Sequence, residues 1–413
     1  MRGTLVLKLA LRGLVRNRRR TLLSVAGVGV GCAVALLAVS MMRGAMEMRV
    51  RAIAESGLGH ARAVPAAWPR TRDGALRLAD WRAELAALRA APEVAVAAPR
   101  ARSEGLLGFG TRVAGVELLG VDPEAEWALS RLARAVSRGR YLAAGDTAAV
   151  VIGAAIAERL EVDLDDDLFL TVVGADGTMR YDMLRVAGII ETGSKDIDAS
   201  ICHLPLAELQ RVTERAGAGE ITLMLRDPRR LDRQVARLQA HAAPGDTLIG
   251  WDVIMPAMGG DANSDRAFMT SLVVIVILVV VLGVTSAQLT AVLERRREFA
   301  VLLALGMKGR RLVALLLLEA AALGVGGAAA GLVIGMPLIH RLATVGFDMR
   351  AVMGEELAME GVLFDPVFYG DTGPWLLPYA LLVALGATLA AALYPAWSAL
   401  RTDPASALSL REG

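Results

Sequence analysis

Four stretches of helix length along the chain are apolar and almost free of charge: 21–42, 268–293, 312–339 with Glu319 as its one charge, and 375–400. Each exceeds the roughly 20 apolar residues that cross a hydrocarbon core about 30 Å thick. One lies near the start, and the other three follow a long stretch of mixed polarity from Arg43 to Ala267. The pattern predicts an α-helical membrane protein with four transmembrane helices in a one-plus-three arrangement, and a large extracytoplasmic domain between helices one and two.

Within 43–267 the period switches repeatedly between two and 3.6, as expected of an α+β domain. Residues 78–90, 154–160, 206–213 and 230–241 read as helices, and 94–98, 113–121, 149–152 and 221–225 as strands. The clearest hairpin joins 168–173 to 179–190 through Ala175, Asp176 and Gly177, because Asp-Gly supplies the positive φ of a tight turn. Several short strands with helices on one face are the expected result. Asp163, Asp165, Asp166 and Asp167 lack the glycine and distal glutamate of a calcium loop and read as a solvated turn.

Composition agrees with a mixed membrane and soluble character, since 55% hydrophobic residues and a mean hydropathy of +0.48 coexist with 21% charged residues. Net charge is +2, so only its distribution informs. Residues 1–20 hold Arg2, Lys8, Arg12, Arg16, Arg18, Arg19 and Arg20; the loop 294–311 holds Arg295, Arg296, Arg297, Lys308, Arg310 and Arg311; the tail 401–413 holds Arg401 and Arg411. The connector 340–374 is acidic instead, with Asp348, Glu355, Glu356, Glu360, Asp365 and Asp371. The positive-inside rule therefore predicts cytoplasmic termini and a cytoplasmic 294–311 loop, with 43–267 and 340–374 outside. Lys8, Arg12 and Arg16 recur every four residues among leucines, which predicts an amphipathic helix over 1–20 on the inner leaflet. The first apolar run is too long for a signal-peptide core and no A-x-A site follows it, so it reads as an uncleaved anchor.

Cys32 and Cys202 fall in the membrane and in the large domain, which predicts no disulfide between them. His60, His203, His241 and His340 are scattered, and no H-E-x-x-H, C-x-x-C or G-x-S-x-G occurs, so no catalytic residue and no metal site is expected. The chain reads as non-enzymatic. No G-x-x-x-x-G-K-S/T occurs either, so any ATP is expected to be bound by a separate subunit. Intramembrane charge usually marks an ion or substrate path; Glu319 alone qualifies, and it reads as the partner of an interfacial arginine or as a relay of movement. Gly27 and Gly31, and Gly327, Gly331 and Gly335, stand four apart on a helix face and predict close helix packing, within the chain or with a second transmembrane subunit. Pro337, Pro378 and Pro395 are expected to bend or end their helices. In the loop, Phe299, Val301, Leu302, Leu305 and Met307 give a short amphipathic helix an apolar face suited to a groove on a partner, or to lying on lipid at the interface.

The loop residues Glu294, Arg295, Arg296, Arg297, Glu298, Phe299, Leu302, Leu305, Gly306 and Met307 resemble the E-R-x-x-E-h-x-h-x-x-A-h-G pattern (h, apolar) of the MacB/FtsX/Lol superfamily of ABC transporter permeases. The stretch from Tyr394 to Leu408 is similar to that family's P-A-x-x-A-x-x-x-x-P-x-x-A-L ending, with Ser406 where an acidic residue is common. Gly139–Leu142, Val151–Gly153 and Val186–Ile189 are similar to the core of its periplasmic domain. Ser56–His60 resembles an S-G-H stretch that follows the first span in lipoprotein-releasing permeases, with Leu58 and Gly59 inserted.

The resemblance implies a type VII, mechanotransmitting permease in a bacterial inner membrane, with both termini cytoplasmic and the large domain periplasmic. Its implied partners are a dimer of ABC ATPase subunits contacted through 294–311, a second permease subunit (the same chain or a homologue), membrane lipid, a periplasmic carrier or adaptor, and a lipoprotein substrate. No nucleic-acid partner is expected. ATP and magnesium would be bound by the ATPase, with no cofactor on this chain. The missing fused ATPase and the length of the large domain point to the lipoprotein-releasing branch. The alternatives are an efflux or export permease with a periplasmic adaptor, and a regulatory scaffold activating a cell-envelope enzyme or sensor.

Overall fold

The computed structural model describes residues 18–304, 307–350, 354, 358–359 and 361–400. Most of the amphipathic helix expected over 1–20, the tail 401–413, and Leu305 and Gly306 lie outside these residues. The described chain forms two units. Met46–Ala262 with Asp348–Val367 make a sheet domain, and the stretch before it, Asn263–Phe347 and the stretch from Phe368 make a helix bundle.

Among the described residues, four helices are long and apolar enough to cross a membrane. They run Arg18–Ile53, Pro256–Glu294, Gly309–Thr344 and Leu376–Leu400. The first overruns its apolar stretch, because the alanine, methionine, glutamate and arginine residues after Met42 are good helix formers that outweigh the single Gly44. Pro256 opens the second at a position that needs no N–H partner. Pro337 and Pro395 sit inside their helices without ending them. Val28, Cys32, Leu36, Val284, Ala328, Ile339, Ala380, Ala384 and Ala391 form the bundle core. The second helix contributes little to it: 6% of its apolar window is buried, against 44–50% for the other three, so most of its surface faces outward.

The main sheet of the second unit has ten strands among the described residues: β1 Ala61–Pro65, β2 Val94–Phe109, β3 Arg112–Val121, β4 Val136–Gly139, β5 Ala149–Gly153, β6 Asp167–Val173, β7 Met179–Ile190, β8 Cys202–Pro205, β9 Glu220–Leu225 and β10 Asp246–Gly250. The first half of β2 closes an antiparallel set in the order β10-β1-β9-β2. Helices Trp81–Ala90 and Leu231–Leu238 cover it, burying Ala61, Ala63, Leu85, Leu88, Ile221, Leu223 and Leu238. The second half of β2 pairs with β3 on one side and β6 on the other. From β3 the pairings continue through β8, β5 and β7 and return by β6 to β2, closing a ring of six strands. Leu107, Val116, Leu118, Val150, Ile152, Leu168, Leu170, Leu184 and Val186 are buried in one cluster there.

A closed ring therefore replaces half of the one-sided layer expected from the pattern. β2 runs well past Ala98, because alanines and glycines blur its alternation. β1 and β8 were not legible as strands: every residue in each is buried, so neither shows period two. The expected hairpin is present, with Gly177 at φ 79. Around the acidic turn, Arg138 pairs with Asp163 at 3.0 Å and Arg185 with Asp167 at 3.0 Å.

Within the four-stranded part, Glu84 is 2% exposed and Asp246 is 8% exposed. Burial, with the Asp246 carboxylate beside it, pushes Glu84 up to about 7, and burial raises Asp246 as well. A carboxyl raised by folding stabilises the fold fully below its unfolded value and loses that contribution as pH rises through the folded one. Stability should therefore fall between about pH 4.5 and 7 by on the order of 2–3 kcal/mol. In thermal unfolding of the full chain in detergent, Glu84→Gln should match wild type at pH 5 and exceed it at pH 8; equal midpoints at both pH values would refute the assignment.

Candidate functional site

The loop between the second and third membrane helices is itself helical from Arg296 to Ala304. Backbone hydrogen bonds from Arg295 N–H to Ala291 (3.2 Å) and from Phe299 N–H to Arg295 (3.1 Å) carry the turn across the break after Glu294. Arg295 is the hub. Its Nη1 donates to both oxygens of Glu319 at 2.9 and 3.3 Å, its Nε donates to Glu298 at 3.1 Å, and the guanidinium lies 5.1 Å from the Phe299 ring centre. Glu319, 7% exposed, is thus the partner of an interfacial arginine, and the pair ties the loop helix to the third membrane helix.

Phe299 corrects the expected partner-facing stripe. It is buried against Val292, Leu312, Leu315, Leu316, Ala396 and Ala399 of its own bundle. What the loop turns outward is Glu294, Arg297, Val301, Lys308 and Arg310, with Met307 half-buried. The side chains of Arg296 and Leu302 lie outside the described residues, as do Leu305 and Gly306.

The glycine stripes are brought together in part. A Cβ on Gly327 would stand 2.3 Å from Val28 Cγ1, on Gly331 2.7 Å from Cys32 Cβ, and on Gly31 2.2 Å from Val280 Cγ2. At those distances the first helix could not lie where it does against the second and third. Gly335 makes ordinary contact with Ala33, and Gly27 is exposed with nothing near it. Within the chain, close packing at this point is made by Gly29 and not by Gly27, since a Cβ on Gly29 would lie 2.8 Å from Ala330 Cβ. The reason is helical phase, since Gly29 shares the buried face with Val28, Cys32 and Leu36.

In the sheet domain, sequence reasoning missed a cluster of buried charge around Ser56–His60. The first helix ends in a π turn, Ala54–Leu58, and Gly57 (φ 92) and Gly59 (φ 71) redirect the chain into β1. Arg62 Nε donates to the Leu58 carbonyl at 3.0 Å, and Arg100 Nη1 donates to the Gly57 carbonyl. Arg62 also bonds Glu220 at 3.0 Å, and Arg100 bonds Glu126 through two nitrogens at 2.8 and 2.6 Å. Arg102 joins Glu220 to Glu117. Burial alone would raise Glu220, but Arg62, Arg102 and Arg100 overcome it and hold the carboxyl at about 2. Burial lowers Arg62 to about 10, which still leaves it charged at neutral pH. His60, brought down to about 4 by burial, is neutral and accepts from Leu225 N–H at 3.0 Å. Ser56 Oγ accepts from Leu363 N–H at 2.9 Å. A cavity of about 700 Å³ opens beside the cluster, lined by Ser56, Arg62, Arg100, Glu126 and His203 among others. One signal was available in the sequence: Arg100 interrupts an otherwise small and apolar stretch, 94–99, that reads as a buried strand.

These features define a class first: a polytopic membrane protein with a sheet domain inserted after its first helix and a short charged helix between its second and third. A family model described as MacB-like periplasmic core domain matches residues 21–241, more than half of the chain, and one described as FtsX-like permease C-terminal matches residues 270–404. The chain belongs to the MacB/FtsX family of ABC transporter permeases. It is 26% identical over 396 residues to the lipoprotein-releasing system transmembrane protein LolC of Xylella fastidiosa (strain Temecula1 / ATCC 700964), covering 93% of this chain and 92% of that protein. To the lipoprotein-releasing system transmembrane protein LolE of Haemophilus influenzae it is 24% identical over 398 residues, 94% and 93% of the two chains. To the macrolide export ATP-binding/permease protein MacB of Hyphomonas neptunium it is 25% identical over 420 residues, 97% of this chain and 60% of that one. With its four apolar helices, it is a bacterial inner-membrane protein.

Two outcomes test the bundle. Gly331→Leu should destabilise the detergent-solubilised protein by about 1–3 kcal/mol through overpacking, whereas Gly27→Leu should leave its unfolding midpoint unchanged. Glu319→Gln leaves Arg295 half-paired and should cost about 3 kcal/mol; a double-mutant cycle with Arg295→Gln that shows no coupling would exclude the ion pair as the tie.

Proposed function

We propose that this chain is the transmembrane permease subunit of an ABC transporter in which a separate ATPase, bound at 294–311, drives movement of the sheet domain on the periplasmic side, releasing lipoproteins from the inner membrane. The observation that carries the coupling is the loop helix. It is fastened to the third membrane helix through Arg295 and Glu319 while Arg297, Val301 and Lys308 are turned outward. A helix so anchored acts as a handle, because force on it reaches a membrane helix through a half-buried ion pair and through Phe299. The cargo reading is supported by the names of the LolC and LolE relatives, which cover nearly the whole of both chains. The basic residues of 294–311 and the acidic connector support a cytoplasmic loop and a periplasmic domain.

The likeness to a MacB over 97% of this chain favours export with a periplasmic adaptor as the second reading. Depletion followed by fractionation of inner and outer membranes separates the two: lipoproteins should accumulate in the inner membrane, and their normal departure would sink the cargo reading. Arg297→Glu combined with Val301→Asp, both outward, should lower ATPase co-purification about tenfold while the permease stays folded; unchanged co-purification would remove the loop helix from the ATPase contact.

A further inference from the structure

We propose that Arg62 and Arg100 form a mechanical joint, gripping the end of the first membrane helix so that its movement is delivered to β1 and β2 of the sheet domain. This rests on the permease reading above. The two arginines are positioning residues.

The end of a helix is its weakest part, since its last carbonyls have no partner within the helix. This end is weaker than most, because a π turn and two left-handed glycines replace the regular ladder over Ala54–Gly59. Fraying there would absorb a pull or a twist before it reached the sheet. The structure removes that slack. Arg100 holds the Gly57 carbonyl and Arg62 the Leu58 carbonyl, each with a different nitrogen from those that hold its carboxylate.

The carboxylates then spread the load. Glu126 lies on helix Pro123–Leu129 and Glu220 on β9, so a force on residues 57 and 58 reaches β1, β2, β9 and that helix together. Arg62, Arg100, Glu126 and Glu220 are all under 4% exposed, so little water competes for the donors. A planar guanidinium suits the task, because its fork can hold a carboxylate and a carbonyl at fixed angles and stays charged. Stability alone is a poor reason for such groups, since apolar residues of similar size often do as well in a core. Gly59 completes the fit: a Cβ there would lie 2.4 Å from Thr222 Cγ2 and 2.9 Å from the Leu223 carbonyl, so the chain passes flush against β9. The spacing Ser56-Gly57-Leu58-Gly59-His60 follows, with Ser56 and His60 as flanking acceptors for Leu363 and Leu225.

Arg102 supplies the internal control. It belongs to the same cluster through Glu220 and Glu117, and no hydrogen bond of its own reaches residues 57 or 58. The experiment uses the full permease with its co-purifying ATPase in proteoliposomes, comparing wild type, Arg62→Gln/Arg100→Gln, Arg102→Gln and Glu126→Gln. Amide hydrogen exchange is read with and without ATP and vanadate. In wild type and Arg102→Gln, nucleotide should change exchange in β1 and β2. In the double variant that change should vanish, exchange at residues 57–60 should rise about tenfold, and ATP turnover should stay within about twofold while lipoprotein release falls about tenfold. Glu126→Gln, which keeps the Arg100 grip but loosens its anchor, should lie between, and it carries the test if the double variant does not fold.

A double variant that still transmits the nucleotide effect overturns the joint. So does an Arg102→Gln variant as defective as the double one, because the cluster would then matter for folding alone. A wild-type complex that responds to nucleotide in β1 and β2 but releases no lipoprotein refutes the cargo and leaves the joint standing. Wild type without any nucleotide response overturns both.

Discussion

The first membrane helix is longer than a membrane is thick, and the rest of the structure is built around that excess. Its 36 residues rise about 54 Å at about 1.5 Å each, against a hydrocarbon core of about 30 Å. The surplus has to lie outside lipid, and there Arg43, Glu47, Arg49 and Arg51 take over from the apolar residues. A helix with every interior backbone group paired is stiff along its axis, so displacement at one end reappears at the other. Such a rod transmits only what its contacts allow. Gly29, Gly31, Gly327 and Gly331 admit its neighbours to within backbone reach, and Arg62 and Arg100 complete the hydrogen bonding of its last turn.

The third helix collects the other contacts. Its glycine face receives the first helix, and at the end near the loop Glu319 receives Arg295. A lone carboxylate in a membrane helix is costly; pairing removes most of that cost and makes the loop helix part of the bundle. Phe299 works in the same direction, since a ring packed beneath a guanidinium leaves the elbow little freedom. Across the bundle, Arg43 reaches Asp371 at 3.4 Å and lies 4.4 Å from the Trp375 ring centre, fastening the first helix to the start of the fourth.

The sheet domain is rigid for a different reason. β2 is shared between an antiparallel set covered by helices and a ring that closes on itself, so the two halves have one continuous strand as their spine. Closure leaves the ring no free edge. Arg100 lies on this strand, which makes β2 the natural recipient of force from the helix end.

Much of this was legible without coordinates. The four spans are local facts of composition, the hairpin around Asp176 and Gly177 is a local fact of backbone preference, and the arginine distribution is a matter of counting. All depend on residues close together in the chain. What the tertiary structure alone decided depends on residues far apart: which glycines meet a neighbour, that Phe299 turns inward, that β2 runs on to Phe109 and closes a ring, and that Arg62 and Arg100 find Glu220 and Glu126. β1 and β8 are hidden from any periodicity because both faces are buried, and Gly27 and Gly29 stand about 200° apart around the helix, on faces that only a packed partner can tell apart. The apolar pattern determined that this chain enters a membrane and carries a domain beside it; the pairing of distant charges and small residues decided how the two are made stiff.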